Sequence, residues 1–275
     1  TDNWGGAGKA MDLLADARRT GVKIDCDIYP YTAASNPLKN LFPPWLQEGG
    51  VDAMIARLGD DNIRIRLREA LDAEGLNNFG RIPDWDAIRI SISPNLQQYA
   101  GRTIADIAVE RGIDGFGAAL DYIVEDRGQT RVLVSSISEK DVKDFVRSPD
   151  VMIGSDGNSV APNGTTGQGK PHPRFYGTFA KVLGQYSRDE ELVPLHAAIW
   201  KMTGASARAL GLKNRGLLRE GSAADITIFD PVTVAERATY EDPHSFAAGI
   251  DRVIVNGTTV LCDDEHTGAL AGRTL

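Results

Sequence analysis

The sequence predicts a mixed α/β fold, because segments with helical and strand periodicity alternate along it. Apolar residues recur at helical spacing from Gly8 to Thr20, and Val22–Tyr29 then alternates with a period of two until Pro30. The run Val151–Ile153 is short and fully apolar, which is typical of a buried strand. A helix followed closely by a strand indicates a repeating βα architecture.

Residues 36 to about 98 do not continue this alternation. The segment Phe42–Trp45 is rich in proline, and a charged helical segment, Val51–Glu74, precedes a strand-like run at Ile88–Ile92. We therefore predict an insertion at about 36–98, after the strand that ends at Tyr29.

The alternation resumes beyond the insertion and gives way to an all-β pattern near the C-terminus. The predicted elements are helices at Thr103–Arg111 and Gly115–Asp126, a strand at Arg131–Ile137, and helices at Glu139–Arg147 and Leu192–Leu210. Asn256-Gly257 lies between two apolar runs, which is the strongest short-range signal for a β-hairpin. We predict two domains: an α/β region at 1–211 and a small β-sandwich region at 212–275.

Charge and composition exclude several classes of function. The formal net charge of −8 disfavours a nucleic acid or an anionic membrane as partner, since both attract positive surfaces. No apolar run approaches the roughly 18 residues that a membrane span needs. The two cysteines, Cys26 and Cys262, lie far apart and form no disulfide framework. These features favour a cytoplasmic protein that acts on a small molecule.

A carboxylate and a guanidinium follow the Val151–Ile153 strand. Asp156 lies in the run Ile153–Gly157, and Arg174 closes the run His172–Arg174, after a stretch rich in glycine. An α/β barrel places its catalytic groups at the C-terminal ends of its strands and on the loops that follow. The alternative is a Ser-Asp-Gly turn that only ends the strand.

These motifs together resemble the N-acyl-D-amino-acid deacylases, or D-aminoacylases, of the amidohydrolase superfamily. The Tyr-Pro-Tyr and His-Pro-Arg-Phe-Tyr-Gly-Thr-Phe runs are specific to this branch, whereas the C-terminal motifs are shared across the superfamily. The matching segments are Asp27–Ala33, Phe42–Trp45, Ile153–Gly157, His172–Phe179, Lys201–Thr203, Arg208–Leu212, Ala223–Asp225 and Val255–Gly257.

The resemblance implies the C-terminal part of a metal-dependent (β/α)₈ TIM-type barrel, with zinc in the complete enzyme. A metal-activated water would attack the amide of an N-acyl-D-amino acid. Asp156 matches the family's general base and is the one possible metal ligand in this chain. Arg174 matches the arginine that binds the substrate's α-carboxylate, and Tyr29 matches a tyrosine that hydrogen-bonds the same group. Tyr31 is an alternative to Tyr29.

The sequence departs from the family in its metal ligands. The family uses a His-x-His pair, a cysteine and two later histidines, but none of the four histidines here forms such a pair. We expect His172 to brace its loop, His196 to be structural, and His244 and His266 to face solvent. Cys26 is expected to be a buried structural thiol.

We therefore expect this chain to match only the C-terminal portion of the family. Residues 1–275 alone should lack the zinc site, show no turnover and tend to self-associate. One alternative is an amidohydrolase that acts on cyclic amides, such as a hydantoinase or dihydroorotase. The other is a non-catalytic fragment of the fold. Lys39, in the insertion, is a candidate for selecting acidic substrates.

Overall fold

The computed structural model describes residues 2–82 and 84–274 and shows a mixed α/β chain. Its helices are α1 Ala7–Arg19, α2 Gly50–Leu58, α3 Asp61–Glu74, α4 Ile104–Arg111, α5 Gly115–Glu125, α6 Glu139–Arg147, α7 Arg174–Lys181, α8 Leu195–Met202 and α9 Gly204–Ala209. Its strands are β1 Cys26–Ile28, β2 Ala33–Pro37, β3 Ile88–Ile92, β4 Arg131–Ser135, β5 Val151–Ile153, β6 Ile226–Phe229, β7 Ile250–Val255, β8 Thr258–Cys262 and β9 Glu265–His266. A π-helical segment, Val182–Asp189, continues α7.

β1 and β5 pair in parallel, which brings residues near position 28 next to residues near position 153. Ile28 lies opposite Ile153, and the N–H of Gly154 extends the pairing by donating to the carbonyl of Ile28 at 3.1 Å. A Cβ on Gly154 would lie 2.1 Å from the Asp27 carboxylate, so only glycine fits here without displacement. The C-terminal ends of both strands therefore meet at one edge of the pair.

The middle of the chain, from Ala33 to Ser135, folds around a core of its own. β2 and β3 pair on either side of β4 in antiparallel orientation, with Ala33 opposite Ser135. The core draws on every part of this unit, including Leu38, Phe42, Leu58, Leu67, Ile90, Ile107, Leu120 and Val132. The unit is therefore longer than the predicted 36–98, because α4 and α5 bury their apolar faces in it.

The C-terminal region contains an antiparallel meander in the order β6-β7-β8-β9. Asn256 and Gly257 have φ values of 49° and 80°, which confirms the predicted hairpin and matches its favoured turn. Residues 212–274 show this single sheet, so the second layer of the predicted sandwich stays a prediction. The connection from β6 to β7 packs back on the α/β region through buried Val234. The division into 1–211 and 212–275 remains our proposal.

Local signals predicted most helices well and misjudged two. α6 has the predicted bounds, and α4 begins with a capping box between Thr103 and Asp106. The predicted Val51–Glu74 helix divides into α2 and α3, because Asp60 caps a new start by accepting from the N–H of Asn62. The predicted Leu192–Leu210 helix breaks at Thr203, whose φ of −128° and ψ of −87° are not helical. None of the described helices combines the length and apolar character that crossing a membrane requires.

Replacing Gly154 with alanine is expected to lower the free energy of unfolding by about 1–3 kcal/mol, the usual cost of overpacking. The added methyl group collides with the Asp27 carboxylate on the neighbouring strand. Adding Asp27→Ala to Gly154→Ala should restore most of the loss, measured by urea denaturation as a double-mutant cycle. Gly8→Ala is the control, since a Cβ there has no atom within 4 Å. Equal losses with and without the Asp27 side chain would show that the collision is not the cause.

Candidate active site

Tyr29 and Asp156 lie at the same edge because each follows a strand of the parallel pair. Tyr29 comes directly after β1, and Asp156 stands three residues beyond the end of β5. Asp156 has a φ of 46°, a left-handed conformation that aspartate tolerates better than most residues. Its side chain is 69% exposed, so the carboxylate is open to solvent.

Arg174 is the first residue of α7, not part of a loop as its sequence position suggested. Its side chain is only 6% exposed, and its Nη2 lies 2.7 Å from Oδ2 of Asp156. The guanidinium also lies over the Tyr29 ring, 4.8 Å from its centroid. The structure thus brings the three predicted residues, Tyr29, Asp156 and Arg174, into one cluster.

Arg174 brings a buried positive charge into this cluster. Its Nε is buried and has no hydrogen-bond partner among the described residues. Burial raises the pKa of Tyr29, and the nearby Arg174 charge acts against this rise. Tyr29 therefore keeps its hydroxyl proton and can donate a hydrogen bond. A buried cation with a free N–H and a neighbouring hydroxyl donor are groups that bind an anion.

His172 holds the backbone of Arg174 in place. Its Nε2 lies 2.8 Å from the carbonyl of Ala33, and its Nδ1 accepts the Arg174 backbone N–H at 3.0 Å. The carbonyl requires a proton on Nε2, so the ring is the neutral Nε2–H tautomer. Burial lowers the pKa of His172 to about 3, which agrees with this tautomer. Both ring nitrogens are engaged, so His172 braces the start of α7, as expected.

A second buried cluster lies behind His172 and was not predicted. The Tyr31 ring meets the His172 ring edge-on at 5.0 Å, and its hydroxyl donates to Oε1 of Glu236 at 2.5 Å. The ammonium of Lys181 lies over the Tyr31 ring and 3.8 Å from Oε2 of Glu236. Burial, followed by the charge of Glu236, raises the pKa of Tyr31. Tyr31 thus faces Glu236, and Tyr29 is the tyrosine at Arg174.

The sequence did not predict a role for Glu236, because the residues around it in the chain show neither helical nor strand periodicity. It belongs to the connection between β6 and β7, yet it reaches α7 at Gly177, where a Cβ would lie 2.4 Å from the carboxylate. The chain therefore needs glycine at this position of α7 to admit Glu236. Only the glycine within the His172–Phe179 motif hinted at a close approach.

The segment between Asp156 and His172 is fastened at its far end. Lys170 donates its backbone N–H to the carbonyl of Ser91 at 2.7 Å and its ammonium to the carbonyl of Glu241 at 2.7 Å. His244 joins the same point, with Nε2 3.0 Å from the carbonyl of Gly169 and Nδ1 3.0 Å from the hydroxyl of Tyr176. The solvent-facing position expected for His244 is therefore wrong.

The remaining metal-ligand residue types lie apart from one another. His196 and His266 are exposed, and Cys26 is half-buried, with its pKa raised by burial. Across residues 2–82 and 84–274, no group of three or more histidine, cysteine or acidic side chains could hold a metal ion. The Lys39 side chain lies beside Gly128, near the end of β2 that is remote from Ala33.

The chain is similar to amidohydrolases, and among them to enzymes named as deacylases of D-amino acids. A model of the amidohydrolase family matches residues 31–261. The D-aminoacylase of Alcaligenes xylosoxydans xylosoxydans is 41% identical over 178 residues, which cover 65% of this chain and 34% of that protein. The N-acyl-D-glutamate deacylase of the same organism is 32% identical over 259 residues, covering 94% of this chain and 43% of that protein.

A solved structure supports the same relationship. The N-acyl-D-glutamate deacylase of Bordetella bronchiseptica, in complex with zinc and a phosphonate mimic of the tetrahedral intermediate, superposes with a TM-score of 0.72. The two are 30% identical, and the match covers 96% of this chain and 45% of that one. The chain thus spans less than half the length of each of these relatives.

The neutral state of His172 predicts how stability depends on pH. The pKa is about 3 in the folded protein and about 6.5 in an unfolded chain, so the unfolded state binds one more proton between these values. The contribution of neutral His172 to the free energy of unfolding is complete above about pH 6.5. It falls by about 1.4 kcal/mol for each pH unit below that value, until the folded pKa is reached. From pH 7 to pH 5 the His172→Gln variant should therefore lose about 2 kcal/mol less than wild type in chemical denaturation.

The exposed His196 supplies the control, since His196→Gln should leave the pH dependence unchanged. If His172→Gln fails to fold, the ring NMR signals of His172 in the wild-type protein serve instead. They should not titrate down to about pH 4. A midpoint near pH 6 would contradict the buried neutral tautomer.

Proposed function

The chain belongs to the amidohydrolase family, and we propose that the whole protein hydrolyses the amide bond of N-acyl-D-amino acids to a carboxylate and a free D-amino acid. The names of its relatives, D-aminoacylase and N-acyl-D-glutamate deacylase, support this substrate class. One observation of this chain carries the proposal. The exposed Asp156 carboxylate lies 2.7 Å from the buried Arg174 guanidinium, so a candidate base and a candidate anion-binding group are adjacent.

Arg174 and Tyr29 bind the α-carboxylate of the substrate in this proposal. The planar guanidinium offers parallel N–H groups to a carboxylate, and its unpartnered Nε supports such a role. Tyr29 adds a hydrogen bond from its hydroxyl. Because Tyr29 directly follows β1 and Arg174 begins α7, both are placed by secondary structure, and they hold the substrate in one orientation with its amide carbonyl near Asp156.

Asp156 acts as general base and then as general acid in this proposal. Its carboxylate takes a proton from the attacking water as the C–O bond forms. It then gives that proton to the amide nitrogen as the C–N bond breaks, so the D-amino acid leaves as a neutral amine. The solvent exposure of the carboxylate gives water access to it.

We propose zinc as the metal of the whole protein, on the basis of the zinc-bound N-acyl-D-glutamate deacylase. The residues described here do not supply a metal-binding set by themselves. Asp156 is one donor, and His172 and His244 have both ring nitrogens engaged elsewhere. A metal would need further ligands, and the steps assigned above use only the side chains of this chain.

Three further features belong to the same proposal. β1 and β5 would be neighbouring strands of a (β/α)₈ barrel, which their parallel pairing supports. The free cysteines, Cys26 and Cys262, support a cytoplasmic location. Exposed apolar side chains, including Leu210, Leu218, Val232 and Leu270, support self-association.

Assays of the whole protein with its metal test the proposed function. N-acetyl-D-leucine and N-acetyl-D-glutamate should be hydrolysed with release of the free D-amino acid, whereas their L-enantiomers and hydantoins should not. Hydrolysis of hydantoin without hydrolysis of the acyl amino acids would favour the cyclic-amide alternative. Inactivity towards all of these compounds would contradict both functions.

Substitutions in the site should separate the two roles. Asp156→Asn should lower kcat by about 10²–10⁴-fold, the usual contribution of a general acid–base group. Arg174→Lys should raise KM by about tenfold or more, because lysine keeps the charge and loses the planar fork. Arg19→Lys, at an exposed arginine in α1, is the matched control and should change neither constant. An unchanged KM in Arg174→Lys would contradict the carboxylate-binding role.

A further inference from the structure

We infer that Asp156 and the substrate's α-carboxylate compete for the same arm of Arg174, so that a free carboxylate is required to release Asp156 for proton transfer. This inference rests on the proposed function and adds a basis for specificity. It makes the carboxylate of the substrate a determinant of turnover as well as of binding.

The guanidinium of arginine has two N–H arms on one side. In arginine, Nε and Nη2 lie on the same side, and their N–H groups form a fork that matches the two oxygens of a carboxylate. In Arg174 the Nη2 arm is in contact with Oδ2 of Asp156 at 2.7 Å, while Nε is buried and unpartnered. Asp156 thus contacts one arm of the fork, and the Nε–H of the other arm has no hydrogen-bond partner among the described residues.

The two partners differ in how firmly they are held. The Arg174 side chain is 6% exposed, and its backbone N–H and carbonyl are bound by His172 and Thr178 at 3.0 and 2.9 Å. The Asp156 side chain is 69% exposed and lies between Ser155 and Gly157 at the start of the segment that follows β5. Asp156 is therefore the partner that can move.

A carboxylate ligand has the advantage in this competition. Release of Asp156 costs little on the carboxylate side, because water solvates the freed and exposed group, and the ligand carboxylate keeps the buried guanidinium paired. A ligand that spans Nε and Nη2 makes two charge-assisted hydrogen bonds and satisfies the buried Nε. The ligand thus displaces Asp156 from Nη2, and the freed Asp156 carboxylate can accept a proton from water.

The inference also predicts which compounds fail. An N-acyl amino acid whose carboxylate is replaced by a neutral amide cannot displace Asp156 from Arg174. Such a compound loses affinity, and its bound form leaves the base paired. Selectivity for free acids therefore arises at two steps of the same reaction.

Calorimetric titration of the whole protein tests the competition directly. The probe is N-methylsulfonyl-D-leucine, an acid whose sulfonamide is not hydrolysed, and the comparison compound is its carboxamide. Asp156→Asn should bind the acid about fivefold more tightly than wild type, since it removes the charge that competes for Arg174. Asparagine tolerates the left-handed backbone of position 156, so the fold is expected to be kept.

Two further variants serve as controls for this titration. Asp150→Asn is the matched control, because Asp150 is 71% exposed and lies 3.6 Å from Arg18 at the other end of β5. It should bind the acid as wild type does. Arg174→Met should abolish binding of the acid, and the carboxamide should bind wild type and Asp156→Asn equally.

Equal or weaker binding of the acid by Asp156→Asn would overturn the inference, as would the absence of acid binding in both proteins. The proposed function is judged separately, by hydrolysis of N-acetyl-D-amino acids. If hydrolysis occurs and Asp156→Asn does not bind more tightly, only the competition is wrong. Tighter binding in a protein that hydrolyses none of these substrates would leave the competition for Arg174 in place and refute the deacylase function.

Discussion

The parallel pairing of β1 with β5 is the constraint on which the candidate site depends. The two strands are distant in sequence, and each is followed within three residues by one residue of the candidate site. Because parallel strands end at the same edge, Tyr29 and Asp156 meet there. Gly154 fixes how closely the strands approach, since the Asp27 carboxylate occupies the space of a side chain. The geometry of the site is thus set by backbone pairing before any site side chain makes a contact.

A buried neutral histidine then places the cation. A protonated His172 would add a second buried positive charge next to Arg174, and its Nδ1 could no longer accept the Arg174 backbone N–H. Burial instead keeps the ring neutral, with one nitrogen as donor and the other as acceptor. The edges of Tyr29, Tyr31 and Tyr240 surround this ring at centroid distances of 6.0, 5.0 and 5.3 Å. The start of α7 is therefore fixed by polar contacts inside an aromatic enclosure.

Local chemistry made part of this structure predictable from the sequence. The Thr103–Asp106 capping box, the Asn256-Gly257 turn and the bounds of α6 follow from rules that act within a few residues. The three candidate site residues, Tyr29, Asp156 and Arg174, were predicted through motifs and a family resemblance, not through periodicity. Predictions that depend on contacts between distant residues were less successful. Local periodicity does not reveal which core a helix packs against, so α4 and α5 were assigned outside the insertion. The role of Glu236 at Tyr31 depends on a contact between distant segments that no local pattern announces.

The first and last residues of the middle unit, Ala33 and Ser135, are close together in space. Ala33 and Ser135 are directly opposite each other in β2 and β4, and such paired residues lie about 5 Å apart. The flanking α/β elements are therefore separated by the same short distance whatever lies between these two positions. Because the ends of the unit are fixed next to each other, residues between them can be added, removed or exchanged during evolution without moving β1 relative to β5. The unit still contacts the candidate site at two points, through Ser91 to the backbone of Lys170 and through the Ala33 carbonyl to His172, so these two contacts limit how far it can change.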